Sequence, residues 1–506
     1  MSYAKVWSAG LVGARGHLVE VEVDLANGLP HVALSGLPDT AVNEARDRVR
    51  AAIVNSGGTW PSRRITVNLL PAALPKHGTS FDLAVACGVL AGAGELPPGR
   101  LDRVLLIGEL GLDGTVRPVR GVLPMVHAAV RGGLRRAIVP VANAAEAALV
   151  PGATVRAVDT LRRLTGFLLG RDRLLDPPDR PTPVAEAGPD LADVVGQAKG
   201  RRALEVAAAG NHHMAMIGPP GAGKTMLARR LPSILPELDD EAALEVTALQ
   251  SVAGVLPEGA PLRRRPPFQA PHHTASVAAL VGGGPGLARP GALSLAHRGV
   301  LFLDEAPEFS PRALEALRQP LEEGVVSLRR AHGVTEFPAR VQLVVAANPC
   351  PCAKPSGDPA CECTPLVRRR YLGRLSGPLM DRIDVQVTLA PLSSAQLLDD
   401  RALVEPSAVV AERVVKARAA AAARWAEYGW RCNAEASGAV LRSPRWRLPA
   451  RILAPLRRAL DTGALSARGY DRIIRLAWTI ADLDGRDRPD AGDVHEATEL
   501  RTGMSW

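Results

Sequence analysis

Short apolar runs alternate with helix-periodic stretches along this chain as far as about residue 390, after which the pattern becomes helical. The run Leu18-Val-Glu-Val-Glu-Val-Asp-Leu25 alternates in a two-residue period and predicts a half-buried strand, and Val104-Leu-Leu-Ile107 predicts a buried one. Between them, Thr40 to Ile53 carries its apolar positions at helical spacing. Four further apolar runs, His213–Ile217, Gly299–Leu303, Val341–Ala347 and Val385–Leu389, predict buried strands. Continuous apolar character of that kind suits a parallel sheet covered on both faces. Glu405 to Tyr428 and Tyr470 to Leu483 predict two long helices. Arg171 to Pro189, rich in proline and charge, predicts a linker. The expected division is an α/β segment over 1–170, a linker over 171–189, an α/β core over 190–392 and a helical segment over 393–506.

Composition changes this picture only at the margins. A chain of 506 residues suggests about three domains, and 47% hydrophobic content supplies ample core. Aromatic residues make up 3%, so the cores must rest on Ala, Val and Leu. The excess of 61 basic over 52 acidic residues, +9 net, permits a polyanionic partner without requiring one. No apolar stretch is long enough to span a bilayer, which predicts no membrane partner. The start, Met1 to Trp7, lacks a basic residue cluster followed by an apolar core, so no secretory signal is expected. Four of the six cysteines crowd between Cys350 and Cys363, unlike a distributed disulfide framework, and the expected location is cytoplasmic.

The chemistry concentrates in Gly218-Pro219-Pro220-Gly221-Ala222-Gly223-Lys224-Thr225, which follows an apolar run and opens a helical pattern. That context is the Walker A arrangement, in which glycines let backbone N–H groups converge on a polyphosphate. The helix N-terminus adds partial positive charge. Lys224 is expected to reach the β- and γ-phosphates of ATP, and the Thr225 hydroxyl to ligate Mg²⁺. An apolar run ending in Asp304-Glu305 predicts Walker B: Asp304 near Mg²⁺, Glu305 as the base for the attacking water. Asn348, at the tip of another predicted strand, can sense the γ-phosphate, although Asn-Pro is also a routine turn. Arg382 lies too far along the fold to reach its own γ-phosphate comfortably, so it either serves a neighbouring subunit or pairs with Asp381 or Asp384.

These motifs resemble AAA+ ATPases of the magnesium-chelatase branch. Arg298-Gly-Val-Leu-Phe-Leu-Asp-Glu305, Asn348-Pro-Cys-Pro-Cys352, Ala270-Pro-His-His-Thr-Ala-Ser276 and Ser466-Ala-Arg-Gly-Tyr-Asp-Arg472 narrow the resemblance to the YifB/ComM family. The resemblance implies an AAA+ core over 190–392 and a helical lid over 393–506. It also implies that Arg382 is an arginine finger acting in trans, that Arg468 is the sensor 2 residue, and that the chain forms a homo-oligomeric ring, expected to be hexameric. Related ring motors point an insert and a hairpin into a central pore. The corresponding cations would be Arg329, Arg330 and His332 on a predicted hairpin, with His272 and His273 on the insert. Solvated charges are the ordinary alternative for such residues.

The amino-terminal segment resembles a Lon-type protease domain around Leu74-Pro-Lys-His-Gly-Thr-Ser80 and Gly108 to Leu123. Leu123 fills the position of the lysine that would activate Ser80, so the dyad is expected to be absent. Cys350, Cys352, Cys361 and Cys363 could supply four thiolates to a structural Zn²⁺, or could remain free thiols. The family resemblance implies a motor acting on single-stranded, forked or branched DNA, as a helicase or branch-migration translocase. The alternative is a chelatase-like ATPase that drives a metal-insertion partner and ignores DNA.

Overall fold

The computed structural model describes residues 2–37, 39–178, 188–257, 259–284, 288–330, 333–354, 361–375, 377–391 and 404–503. The first nine strands in chain order are β1 (Tyr3–Val12), β2 (Arg15–Ala26), β3 (His31–Ser35), β4 (Arg64–Leu70), β5 (Val104–Leu106), β6 (Glu109–Leu110), β7 (Val116–Arg117), β8 (Arg136–Pro140) and β9 (Thr154–Val158). Seven of them form a mixed sheet in the order β3-β4-β2-β1-β5-β8-β9, and β6 and β7 form a separate small hairpin. The alternation along β2 works as its sequence predicts: Val19, Val21, Val23 and Leu25 are buried, while Asp24 between them is exposed. The helix Asp82–Gly92 is buried at every position and lies against β1 and β2.

The next nine strands are β10 (Met214–Ile217), β11 (Phe268–Gln269), β12 (Gly282–Gly283), β13 (Arg289–Pro290), β14 (Val300–Leu303), β15 (Val325–Arg330), β16 (Gly333–Pro338), β17 (Gln342–Ala347) and β18 (Val385–Thr388). A second sheet, parallel throughout, runs β11-β14-β17-β10-β18. Every residue of β10, β14 and β17 is buried, the burial that continuous apolar runs require of central parallel strands. β15 and β16 form an antiparallel hairpin whose base is anchored by buried Val326 and Phe337.

Helices dominate after residue 404, chiefly Ser407–Trp425, Ala450–Asp461, Ala467–Leu483 and Ala491–Thr502. Trp425 and Trp478 are fully buried there and meet edge to face, with Trp446 edge to face against Trp478 and tilted against Trp425. The Trp425 indole N–H donates to Asn433 Oδ1 at 2.8 Å, so these aromatics build a core rather than a base-stacking surface.

Two joints bear on function. An unbroken apolar core runs from Leu105, Leu123 and Val126 through Leu249 and Val252 to Leu301 and Leu343, fusing the first sheet to the second. Across that joint Ser251 donates to the Glu146 carboxylate, which also accepts the Leu123 N–H at 2.9 Å. Burial pushes the Glu146 carboxyl above its usual range. The second joint lies inside the expected linker. Leu175 exchanges hydrogen bonds with Ala157 at 2.8 and 3.1 Å, so the chain stays on the first sheet through that residue. Linker residues 179–187 lie outside the described residues.

Candidate functional site

The strand register gathers the site. Ile217 of β10 pairs with Ala347 of β17, and Val345 of β17 pairs with Leu303 of β14. Gly218, Asn348 and Asp304 therefore leave the carboxyl ends of three parallel strands, where ligands bind in open α/β sheets. After β10, Gly221 and Gly223 take φ of +80° and +89°. That left-handed backbone turns the loop into the helix Lys224–Ile234, with Gly223 as its N-cap. The loop thus aims free backbone N–H groups and a helix N-terminus at one point.

Lys224 is nearly buried, and its Nζ donates to the carbonyls of Gly218 (2.6 Å) and Pro219 (3.0 Å) and to Asn348 Oδ1 (2.9 Å). Burial pulls its ammonium below the usual lysine range, partly offset by the Asp304 and Glu305 carboxylates. Three oxygens hold the ammonium where phosphate oxygens would otherwise compensate it. Thr225 Oγ1 donates to Asp304 Oδ2 at 2.6 Å. A hydroxyl and a carboxylate that close suit a hard cation such as Mg²⁺, whose adjacent octahedral ligands stand about 2.9 Å apart. Glu305 sits at φ +49°, a left-handed conformation that costs a non-glycine residue energy and turns its side chain off the strand axis.

Against Glu305 stands His273, with Nδ1 3.4 Å from Glu305 Oε2. His273 stacks on His272 at 4.1 Å, and His272 Nδ1 bonds the Thr274 hydroxyl at 2.9 Å. The sequence suggested pore-facing positions for both histidines; the structure places the His273 ring beside Glu305. Two other residues escaped the sequence reading. Gln197, at φ +46°, donates from Nε2 to the Ala222 carbonyl (3.0 Å) and the Ala390 carbonyl (2.7 Å), tying the phosphate loop to the exit of β18. Its only signal is Val194-Val-Gly-Gln197 at a helix start. Tyr371 is buried, which pushes its phenol up to about 12 together with the nearby Glu308 and Glu305, against the opposing pull of the Asn348 backbone N–H.

Arg382 is not part of this cluster. It precedes β18, whose Val385 pairs with Met214 at the opposite end of β10 from Gly218. A four-residue strand, about 13 Å of sheet, separates the two ends. Arg382 instead contacts Glu322, while Asp384 accepts from Arg472 and from His212 Nδ1 (2.9 Å). Arg468 is exposed on the first turn of the helix Ala467–Leu483. Arg329 is exposed on the β15–β16 hairpin; His332, and the side chain of Arg330, lie outside the described residues.

The four cysteine sulfurs of Cys350, Cys352, Cys361 and Cys363 all lie within 4.8 Å of one another. Hydrogen bonding from its neighbour pulls the Cys352 thiol down to about 6, and burial pushes Cys350 up to about 12. In the first sheet, Ser80 Oγ donates to the Ala9 carbonyl at 3.1 Å and Leu123 is fully buried. Among the described residues no base is bonded to Ser80.

Three family descriptions match in series: "Subunit ChlI of Mg-chelatase" over residues 21–143, "Magnesium chelatase, subunit ChlI" over 190–397 and "Magnesium chelatase, subunit ChlI C-terminal" over 404–501. YifB of Escherichia coli is 40% identical over 510 residues, spanning 99% of this chain and 97% of its own. Competence protein ComM of Haemophilus influenzae is 42% identical over 508 residues, 99% and 98% of the two chains. The chain belongs to the YifB/ComM family of magnesium-chelatase-like proteins. An uncharacterised protein of Mycobacterium tuberculosis in the same group is 52% identical over 501 residues, 99% of each chain. A Lon protease of Rhizobium meliloti is 29% identical over 143 residues, 27% of this chain and 18% of its own. Among the described residues, no helix is long and apolar enough to cross a membrane.

Proposed function

We propose that this YifB/ComM family member is a cytoplasmic AAA+ ATPase that assembles into a homo-oligomeric ring, a hexamer, and uses ATP hydrolysis to move or remodel DNA. The observation that carries this reading is the split between the two ends of one sheet. Lys224, Thr225, Asp304 and Asn348 converge at the carboxyl ends of the strands, and Arg382 stands at the other end. With Arg382 at the other end of its own sheet, the site can be completed by the next subunit's Arg382, which must then leave Glu322. On this reading the units are a Lon-like segment over 1–170 without protease chemistry, a linker over 171–189, the AAA+ core over 190–392 and a helical lid over 393–506 bearing Arg468 as sensor 2.

The chain's own groups would act as follows. The loop N–H groups and Lys224 Nζ bind and orient the triphosphate, with Lys224 exchanging its carbonyl partners for phosphate oxygens. Thr225 and Asp304 would hold Mg²⁺, which supplies charge neutralisation on the phosphates. Glu305 takes the proton of the attacking water, and Asn348 keeps Lys224 and the γ-phosphate in register. The DNA assignment is supported by the likeness to competence protein ComM and by the net charge of +9. It is further supported by exposed Arg329 on the β15–β16 hairpin, which a ring would repeat around its axis; Arg330 and His332, next along the sequence, would add to that charge.

The test is ATP hydrolysis with and without single-stranded, duplex and branched DNA, with Lys224→Ala and Glu305→Gln as controls. Stimulation by DNA and displacement of strands from forked or four-way substrates are expected. The magnesium-chelatase descriptions favour a second reading, an ATPase that drives a metal-insertion partner. Turnover indifferent to every nucleic acid would select it.

A further inference from the structure

We infer that Cys350, Cys352, Cys361 and Cys363 hold one zinc ion that serves as a clasp on Asn348, so that metal loading sets the geometry of the phosphate site. The chain leaves β17 at Ala347, presents Asn348 to Lys224, and enters the cysteine segment two residues later. It returns through the helix Pro365–Leu372, whose buried Tyr371 phenol lies near the Asn348 backbone N–H. The excursion therefore begins at Asn348 and ends beside it. Apart from Cys350, no described residue from 351 to 364 is buried, so the described part of the segment has no apolar core to fold around. What gathers it is the cysteines. Sulfur–sulfur separations of 3.0 Å (Cys350–Cys352), 3.3 Å (Cys350–Cys361) and 3.5 Å (Cys352–Cys361) lie near the edge of about 3.8 Å that a tetrahedron with 2.3 Å zinc–sulfur bonds has.

Four thiolates with no fifth donor make a closed, structural site that selects a soft, tetrahedral cation. Closing an otherwise coreless loop is the situation in which metal affinity becomes local folding energy. Release of the ion frees the segment between Asn348 and Tyr371 and loosens the oxygen that holds the Lys224 ammonium. The coupling rests on the proposed nucleotide site; the metal site does not.

The experiment uses the full chain. Elemental analysis is expected to give about one zinc per chain. Cobalt exchange is expected to give the sulfur-to-cobalt charge transfer and visible bands of a tetrahedral tetrathiolate site. Four freely titrating thiols without metal, or two disulfides by mass, overturn the proposal. Binding of a fluorescent ATP analogue is then compared in zinc-loaded, zinc-stripped and Asn348→Ala protein. Stripping and Asn348→Ala should each weaken binding about tenfold, the scale of a hydrogen bond to a charged group, and together no more than the larger alone. Unchanged binding on stripping, or fully additive losses, overturns the clasp. Cys361→Ser repeats the stripped state, and cobalt on the unaltered chain decides the site if that variant does not fold. Zinc present with no nucleotide binding in any form would sink the proposed ATPase and leave the metal site standing.

Discussion

His273 Nδ1 stands 3.4 Å from Glu305 Oε2, although 31 residues separate them and each sits on the loop after its own strand. β11 and β14 are adjacent and parallel, so both loops open at the carboxyl edge of the sheet. The imidazole thereby holds the carboxylate proposed to activate water. Both side chains are partly exposed, and such a pair is worth at most about 1 kcal/mol. His273→Ala should raise DNA-independent ATP turnover by no more than about fivefold. Nucleotide affinity should not change. Steady-state hydrolysis with a parallel binding titration checks this; a fall in turnover would mean that His273 assists Glu305 rather than restrains it.

A second prediction concerns how the first sheet meets the hairpin. Gly13, in the β1–β2 turn at φ +62°, lies so close to β16 that a Cβ there would collide with the Glu336 carbonyl oxygen. Any side chain at Gly13 is strained by its backbone and must push the β15–β16 hairpin away. Gly13→Val is expected to cost about 1–3 kcal/mol of stability and to reduce DNA-stimulated turnover several-fold while leaving unstimulated turnover near its normal level. Equal loss of both would show that the turn supports the ATP site rather than the hairpin.

Much of this site was legible in the chain because its parts obey strong local rules. Central parallel strands are buried on both faces, so β10, β14 and β17 appear as unbroken apolar runs, and the loop after β10 needs glycine at Gly221 and Gly223 to turn. Contacts that depend on register were not legible. Nothing local ties His273 to Glu305, Gln197 to Ala390 or Tyr371 to Asn348, since each pair meets only once the strands are ordered β11-β14-β17-β10-β18. The left-handed turn at Glu305 is likewise invisible, because a glutamate normally avoids that backbone. Two contacts of the expected linker were hidden for a related reason: Leu174 and Leu175 lie in a proline-rich, charged stretch, yet Leu174 is buried and Leu175 pairs with the first sheet.

Acid should destabilise the protein in two stages. Burial pushes the half-buried His213 down to about 4, and its Nδ1 accepts the Leu343 N–H at 3.0 Å, which requires the neutral ring. Between pH 6.5 and 4 the unfolded chain binds the proton that the folded chain refuses, so stability falls as pH falls through that window, by up to about 3 kcal/mol. Asp384 is also buried, but hydrogen bonding from His212 and the charge of Arg472 hold its carboxyl well below the usual range. Its contribution is present above the unfolded value near 4 and is lost only as pH falls further. Thermal unfolding from pH 7.5 to 4 should show the first decline, and His213→Asn, which keeps an acceptor without a titratable ring, should flatten it. An unaltered slope in that variant would assign the decline to other groups.

The position of Arg382 at the far end of β18 makes a prediction about subunits rather than residues. If a neighbour's Arg382 completes each site, Arg382→Ala should lower turnover about 10³-fold or more, although its own Lys224, Asp304 and Glu305 are intact. Lys224→Ala should be inactive for the opposite reason, since it can lend Arg382 but cannot use ATP. Neither preparation alone contains a competent pair. Mixed in equal amounts and allowed to exchange, a ring places an Arg382→Ala site beside a Lys224→Ala arginine at about one interface in four, so turnover should recover towards a quarter of the unaltered value. Size-exclusion chromatography with light scattering confirms that the mixed rings form. Full turnover by Arg382→Ala alone, or mixed rings that stay inactive, would mean that Arg382 serves only its contact with Glu322 and that the site is completed from within the chain.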